Sequence, residues 1–177
     1  WPVVAEALKL LRASLPSTIE IRSQSAPNCP DILADSSQVH QVVMNLCTNA
    51  AQAMADGGGL LEIRESVVQV DRAMTLLTPQ LCEGRYVCIS VHDTGHGMDR
   101  AIIERIFDPF FTTKAPGEGT GLGLAVAHGI MQNHEGAITV YSETGRGTTF
   151  RLYFPAAADA ADRPGRRLWR PGQERRP

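Results

Sequence analysis

Apolar residues recur along this chain in two rhythms. In residues 3–13, VVAEALKLLRA, the positions Val3, Val4, Ala7, Leu8 and Leu11 repeat every three or four residues, the spacing of one stripe on a helix. STIEIRSQ (17–24) alternates instead, which predicts a strand, and DILAD (31–35) is long enough for a second, short one. Ser36 or Ser37 is placed to cap a helix running to about Met54, with Val39, Val42, Val43, Leu46, Ala50 and Ala53 on one face. ADGGG ends it with turn residues. LLEIRESVVQV and RYVCISVHD read as strands, joined by a connection that contains Pro79 and has room for a helical turn. DRAIIERIF reads as a short helix and residues 122–133 as a longer one. GAITVYSE and GTTFRLYFP form a closing hairpin around TGRG. Helices mixed with strands, the last two adjacent, predict an α/β (α+β) protein. Its two layers are a mixed β-sheet and about three helices packed on one face.

Composition narrows this only a little. At 177 residues and 43% hydrophobic, the chain fits one globular domain with a real core. A net charge of −2 gives no global field for nucleic acid or a membrane surface. No apolar run is long enough to span a bilayer. The chain opens on Trp1 rather than Met, so we expect a piece of something longer. Cys29, Cys47, Cys82 and Cys88 make no C-x-x-C pair and lack metal-site spacing, which fits idle thiols in a reducing compartment. After Pro155 the character changes to Ala, Pro, Gly and Arg, with little to bury, and residues 157–177 read as a disordered tail or linker.

Three stretches stand out chemically. In QVVMNLCTNAAQAM, Asn45 and Asn49 are one helical turn apart at the edge of the apolar stripe, and Gln52 continues their line. Amide oxygens there suit a hard cation such as Mg²⁺, or simply satisfy backbone groups. In VCISVHDTGHGMD a strand ends at Asp93 beside Gly95 and Gly97. A carboxylate there can accept from an exocyclic amine, or just bond its own turn, and Asp99 is placed to cap the next helix. FDPFFTTK packs three aromatics around Pro109 and ends in Lys114, which reads as a hydrophobic cluster or as the hinge of a mobile segment. GEGTGLGLAVAHGI follows, glycines at every second position feeding a helix, an arrangement that can cradle phosphate or be a plain flexible loop. It does not match G-x-G-x-x-G, because the sixth residue is Leu122 from Gly117 and Leu124 from Gly119, nor the P-loop, because neither Lys9 nor Lys114 follows a glycine.

The order of these stretches is more specific than any one of them. An Asn-bearing helix, Asp-x-Gly-x-Gly, F-D-P-F-F, G-x-G-x-G-L-G-L and G-x-G-T-x-F together resemble the catalytic, ATP-binding domain of bacterial sensor histidine kinases. The wider GHKL superfamily also holds topoisomerase, mismatch-repair and chaperone ATPases. The resemblance covers residues 16–156, leaving 1–15 as the end of an upstream dimerisation helix or linker.

It implies a two-layer α/β sandwich (the Bergerat fold) with a flexible ATP lid, and Mg-ATP as ligand. Asn49 matches the Mg²⁺-coordinating asparagine, and Asn45 lies on the phosphate side. Asp93 matches the residue that bonds the adenine amine, and Gly95 and Gly97 shape its pocket. Phe107 and Phe110 belong to the aromatic box, with Lys114 approaching phosphate. Gly119, Thr120, Gly121, Leu122 and Gly123 match the lid's end, and Thr148 a residue near adenine. Asn45 and Lys114 are the catalytic candidates. Hydrolytic members carry a glutamate at the place of Asn45, and an amide cannot serve as a general base, which favours transfer over hydrolysis. The remaining alternatives are a hydrolytic ATPase or a non-catalytic nucleotide-binding module. Glu135 in NHEGA departs from the glycine of the pattern, with little consequence expected for binding. None of His40, His92, His96, His128 and His134 sits in an acceptor motif. The resemblance therefore implies a phosphoacceptor helix-hairpin domain and a response-regulator receiver as partners. It also implies no nucleic acid, a monomeric fragment, and a cytoplasmic setting for a protein that can be membrane-anchored elsewhere.

Overall fold

The computed structural model describes residues 1–114 and 119–157. Gly117 of the glycine run and the tail from residue 158 lie outside these. Among the described residues ten elements follow one another. They are α1 (Pro2–Ser14), β1 (Ile19–Gln24), α2 (Ser36–Ala53), β2 (Gly59–Val70), α3 (Arg72–Leu77), β3 (Gly84–Asp93), α4 (Arg100–Ile103), α5 (Gly123–Asn133), β4 (Ala137–Glu143) and β5 (Gly147–Pro155). The strands form one mixed sheet in the order β1-β2-β3-β5-β4. β1 runs parallel to β2 because α2 carries the chain back between them, and the other pairings are antiparallel.

Strand alternation decides what the helices cover. On β2 and β3, Leu61, Ile63, Ile89 and Val91 point to one face and pack with Phe150 and Leu152 of β5 under α1, α2 and α5. The expected two-layer α/β sandwich is thus the fold. α2 seats seven residues in this core, among them Val42, Val43 and Leu46 at 1% exposure or less. Truncating Leu46 to Ala would cost about 2–5 kcal/mol. On the opposite face a second cluster joins Tyr86, Cys88, Tyr153 and Ala137 with Val70 and Leu81, beneath the β2–β3 connection.

α1 belongs to the main core, since Val4, Ala7, Leu8 and Leu11 are buried in it. A division at residue 16 therefore separates no packing unit. The cap of α2 is Asp35, not Ser36 or Ser37, because its Oδ1 accepts from the N–H groups of Ser37 (2.8 Å) and Gln38 (3.2 Å). DILAD is not a strand: it makes only an isolated bridge, Ile32 to Ala156. The helical turn of the β2–β3 connection, α3, precedes Pro79. α4 is shorter than its apolar pattern predicts, capped as expected by Asp99, which accepts from Ile102 N–H.

The end of α5 explains the odd glutamate of NHEGA. Gly136 N–H bonds Met131 O (2.9 Å) and Glu135 N–H bonds Gln132 O (3.0 Å), the paired bonds of a Schellman cap. That motif needs a left-handed residue at its corner, and Glu135 supplies φ 53°. Glycine there would carry no Cβ penalty.

Candidate active site

The same alternation that buries Ile89 and Val91 turns Asp93 toward the helices. It pairs with Leu61 on one side and Thr148 on the other, and is 3% exposed. Its Oδ1 accepts from Gly95 N–H at 2.9 Å, and Thr148 N–H also bonds the carboxylate. Burial pushes its pKa up, and these N–H groups with the nearby His92 and His96 only partly offset that.

The turn after Asp93 is clamped. His96 N–H bonds Ala53 O at the end of α2 (3.1 Å), and Gly145 N–H bonds His96 O (2.7 Å). Two glycines permit this closeness. At Gly97 (φ +66°) a Cβ would stand 2.0 Å from Glu143 O, and at Gly147 (φ +95°) one would stand 1.9 Å from Asp93 O. No side chain fits at either place.

Above Asp93 opens a cavity of about 930 Å³ between α2, the glycine turn, α4 and the start of α5, within the size range of small-molecule sites. Met98, Ile102, Ile106 and Phe150 give it apolar walls fit for a flat ring. α2 contributes Asn45, Thr48, Asn49 and Gln52. Asn45 Nδ2 donates to Gly123 O (3.1 Å), tying α2 to the start of α5. Asn49 is half-buried beside the cavity. Lys114 Nζ donates to Gln52 Oε1, and Thr112, Thr113, Gly119, Thr120, Gly121 and Gly123 also line the cavity. α5 begins there with Leu122 at its N-cap and no side-chain cap hydrogen bond. Gly123 and Leu124 at its start line the cavity, and the free N–H groups and positive dipole end of a helix favour anions.

Ten of the candidate residues therefore share one cavity: Asn45, Asn49, Asp93, Gly97, Lys114, Gly119, Thr120, Gly121, Gly123 and Thr148. Four do not line it. Gly95 packs on α2, where a Cβ would meet Ala53 O at 2.6 Å, and acts through its bond to Asp93. Phe107 stacks on His128 with ring centres 5.0 Å apart and faces the core. Phe110 is 74% exposed with φ 67°, and its N–H bonds Gly121 O (2.9 Å). Leu122 is the exposed N-cap. The aromatic of F-D-P-F-F that does line the cavity is Phe111, under the guanidinium of Arg105 at 4.4 Å. Sequence reasoning missed Met98, Ile102 and Ile106. For Ile102 and Ile106 the signal was the apolar side of DRAIIERIF, and Met98 precedes that stretch. It also missed the Gln52–Lys114 contact and the clamp at Gly147, the second glycine of G-x-G-T.

The family model of histidine kinase-, DNA gyrase B- and HSP90-like ATPases matches residues 34–158, which hold every element from α2 to β5. The chain belongs to this ATPase family. Within it the similarity runs to sensor kinases. Sensor kinase CckA of Brucella abortus (strain 2308) is 39% identical over 86% of this chain and 16% of its own length. Sensor histidine kinase ZraS of Escherichia coli (strain K12) is 39% identical over 83% of this chain and 28% of its own. The chain thus spans less than a third of either relative. Among solved structures, the nucleotide-free catalytic domain of histidine kinase ThkA superposes with a TM-score of 0.69 at 25% identity, covering 88% of this chain and 92% of that one. Full-length ShkA in complex with AMPPNP gives 0.66 at 28% identity, over 87% of this chain and 29% of that one. ATP binding and a histidine-kinase ATPase domain are what this ATPase family and these likenesses support. No helix of the described residues is long and apolar enough to cross a membrane.

Proposed function

We propose that this chain holds Mg-ATP in the cavity and gives its γ-phosphoryl group to a histidine on a separate dimerisation helix-hairpin of the same protein. A response-regulator receiver domain then takes the phosphoryl group onward. One observation carries the reading. A single cavity is lined by a buried carboxyl, by the start of a helix without a side-chain cap, and by a lysine. An adenine amine and a triphosphate are the two ends of one ligand that such a cavity suits.

Asp93 accepts from the adenine amine while Met98, Ile102 and Ile106 enclose the ring. The first amides of α5 and Lys114 balance phosphate charge, so catalysis is mainly positioning and electrostatics. Lys114 leaves Gln52 to do this. Mg²⁺ fits the donor set. No trio of His, Cys, Asp or Glu among the described residues is grouped to hold an ion alone, and Asn49 offers one neutral oxygen beside the phosphate end. Mg²⁺ characteristically takes few protein oxygens, several waters and the phosphates themselves. When bound, the ion neutralises phosphate charge. Asn45 supports transfer rather than hydrolysis, since its amide is spent on Gly123 O and cannot take a proton from water.

Calorimetric titration with AMPPNP, with and without Mg²⁺ and beside GMPPNP, tests the pocket. Selective, Mg²⁺-sensitive adenine binding is expected, and absence of binding would overturn the assignment. Adding an acceptor helix-hairpin with labelled ATP should then yield acid-labile phosphohistidine. Steady phosphate release with no transfer would point to hydrolysis instead.

A further inference from the structure

Thr148 is 5% exposed and pairs with Asp93 across the sheet, yet its hydroxyl is committed elsewhere. Oγ1 of Thr148 lies 2.9 Å from Oγ of Ser142, a residue of β4 that does not line the cavity. Ser142 Oγ has two further partners. It accepts from Met98 N–H at 2.8 Å and donates to Gly147 O at 3.0 Å.

The donor inventory settles the direction of the third bond. A serine hydroxyl has one proton and two lone pairs. Gly147 O is an acceptor only, so it takes the proton of Ser142. Met98 N–H is a donor only, so it takes one lone pair. The remaining lone pair can accept only from the hydroxyl of Thr148. With its single proton turned to Ser142, Thr148 has nothing but lone pairs left to offer a ligand.

We propose that Ser142 is a positioning residue for base selection, which fixes Thr148 as a hydrogen-bond acceptor beside Asp93. This rests on the reading of the cavity as an adenine-nucleotide site. Adenine presents an amine donor at its 6-position, whereas guanine presents a carbonyl acceptor there. With the 6-position at the floor, where Asp93 accepts from the amine, two acceptors match the amine of adenine and face the carbonyl of guanine with like lone pairs. The same hydroxyl ties Met98, a wall of the cavity, to the start of β5, so the wall and the acceptor are set by one group. Without Ser142 the Thr148 hydroxyl is free to rotate and donate, and guanine would meet a partner in place of a repulsion.

The test measures AMPPNP and GMPPNP affinities for the wild type, Ser142→Ala, Ser142→Thr, Thr148→Val and Thr148→Ser, each checked for intact fold by circular dichroism. The adenine-to-guanine affinity ratio is expected to fall about tenfold in Ser142→Ala, the scale of one hydrogen bond. It should hold within about twofold in Ser142→Thr and Thr148→Ser, which keep the hydroxyls. A purely structural role would weaken both nucleotides alike and leave the ratio unmoved, and that result in folded Ser142→Ala overturns the proposal. If Ser142→Ala does not fold, Thr148→Val decides, because it removes the acceptor itself. An unchanged ratio there overturns the proposal and a fallen one supports it. A wild type that binds neither nucleotide overturns the pocket assignment together with this one, whereas a selective wild type with an insensitive ratio overturns only the role of Ser142.

Discussion

Asp93→Asn should separate nucleotide binding from stability. The substitution keeps size and removes the charge. The carboxylate accepts from Gly95 N–H and Thr148 N–H, while burial works against its charged form. Asparagine has one acceptor oxygen, and it is neutral, so these two bonds weaken. The loss is about 1 kcal/mol, and relief from burying a charge offsets it on a similar scale. Net stability near neutral pH is expected to change by under about 1 kcal/mol, roughly 2–4 °C in melting temperature. Binding has no such offset. A hydrogen bond to a charged acceptor contributes about 1.5–3 kcal/mol, so AMPPNP affinity should drop roughly 10- to 150-fold. Calorimetry reads the affinity and thermal melting reads the fold. An unchanged affinity, or an affinity lost only in step with the fold, would refute the role.

The pH dependence gives a second readout of the same variant. The folded carboxyl is raised, so the folded state holds its proton more tightly than the unfolded chain does. The stability Asp93 contributes is therefore full below the ordinary carboxyl range and is lost as pH rises through the raised value. The Asn variant lacks this loss. Its stability relative to wild type should climb between about pH 4 and the raised value, then level off.

The other substitutions probe separate parts. Asn49→Ala should reduce the Mg²⁺-dependent gain in AMPPNP affinity while leaving the Mg²⁺-free affinity within about twofold, and titrations with and without the ion would show any failure of that split. Glu135→Gly should raise stability by about 0.5–1 kcal/mol, because relief of the left-handed corner exceeds the added freedom of the unfolded chain. A lower melting temperature would contradict the strain argument, and Glu135→Ala, which keeps the Cβ, should gain less. Gly97→Ala should destabilise by more than about 2 kcal/mol and abolish nucleotide binding, since its Cβ would stand 2.0 Å from Glu143 O at a positive φ. A variant with wild-type melting and affinity would mean the hairpin yields at no cost.

Much of this was legible along the chain. Val39, Val42, Val43 and Leu46 announced α2 because a helix at a core boundary must repeat its apolar positions. The closing hairpin was legible because GAITVYSE and GTTFRLYFP alternate on either side of a three-residue turn. Errors arose where local signals competed. Three cap-forming residues, Asp35, Ser36 and Ser37, stand in a row, and only backbone geometry chose Asp35. DILAD had the composition of a strand but no sheet edge along which to extend. Phe107, Phe110 and Phe111 are indistinguishable as letters of one motif. Packing sent the first to the core, the second to the surface and the third to the cavity.

The sequence by itself determined the elements, the sandwich and which residues were capable of chemistry, since these follow from periodicity and from what each side chain can do. Tertiary structure decided which of them act together. Asp93 and Thr148 are 55 positions apart, Asn45 and Gly123 are 78, and register alone brings the first pair side by side. No local pattern encodes that a serine on β4 orients a threonine on β5. Hydrogen-bond direction depends on every partner within reach of an atom, and those partners are chosen only when the sheet closes.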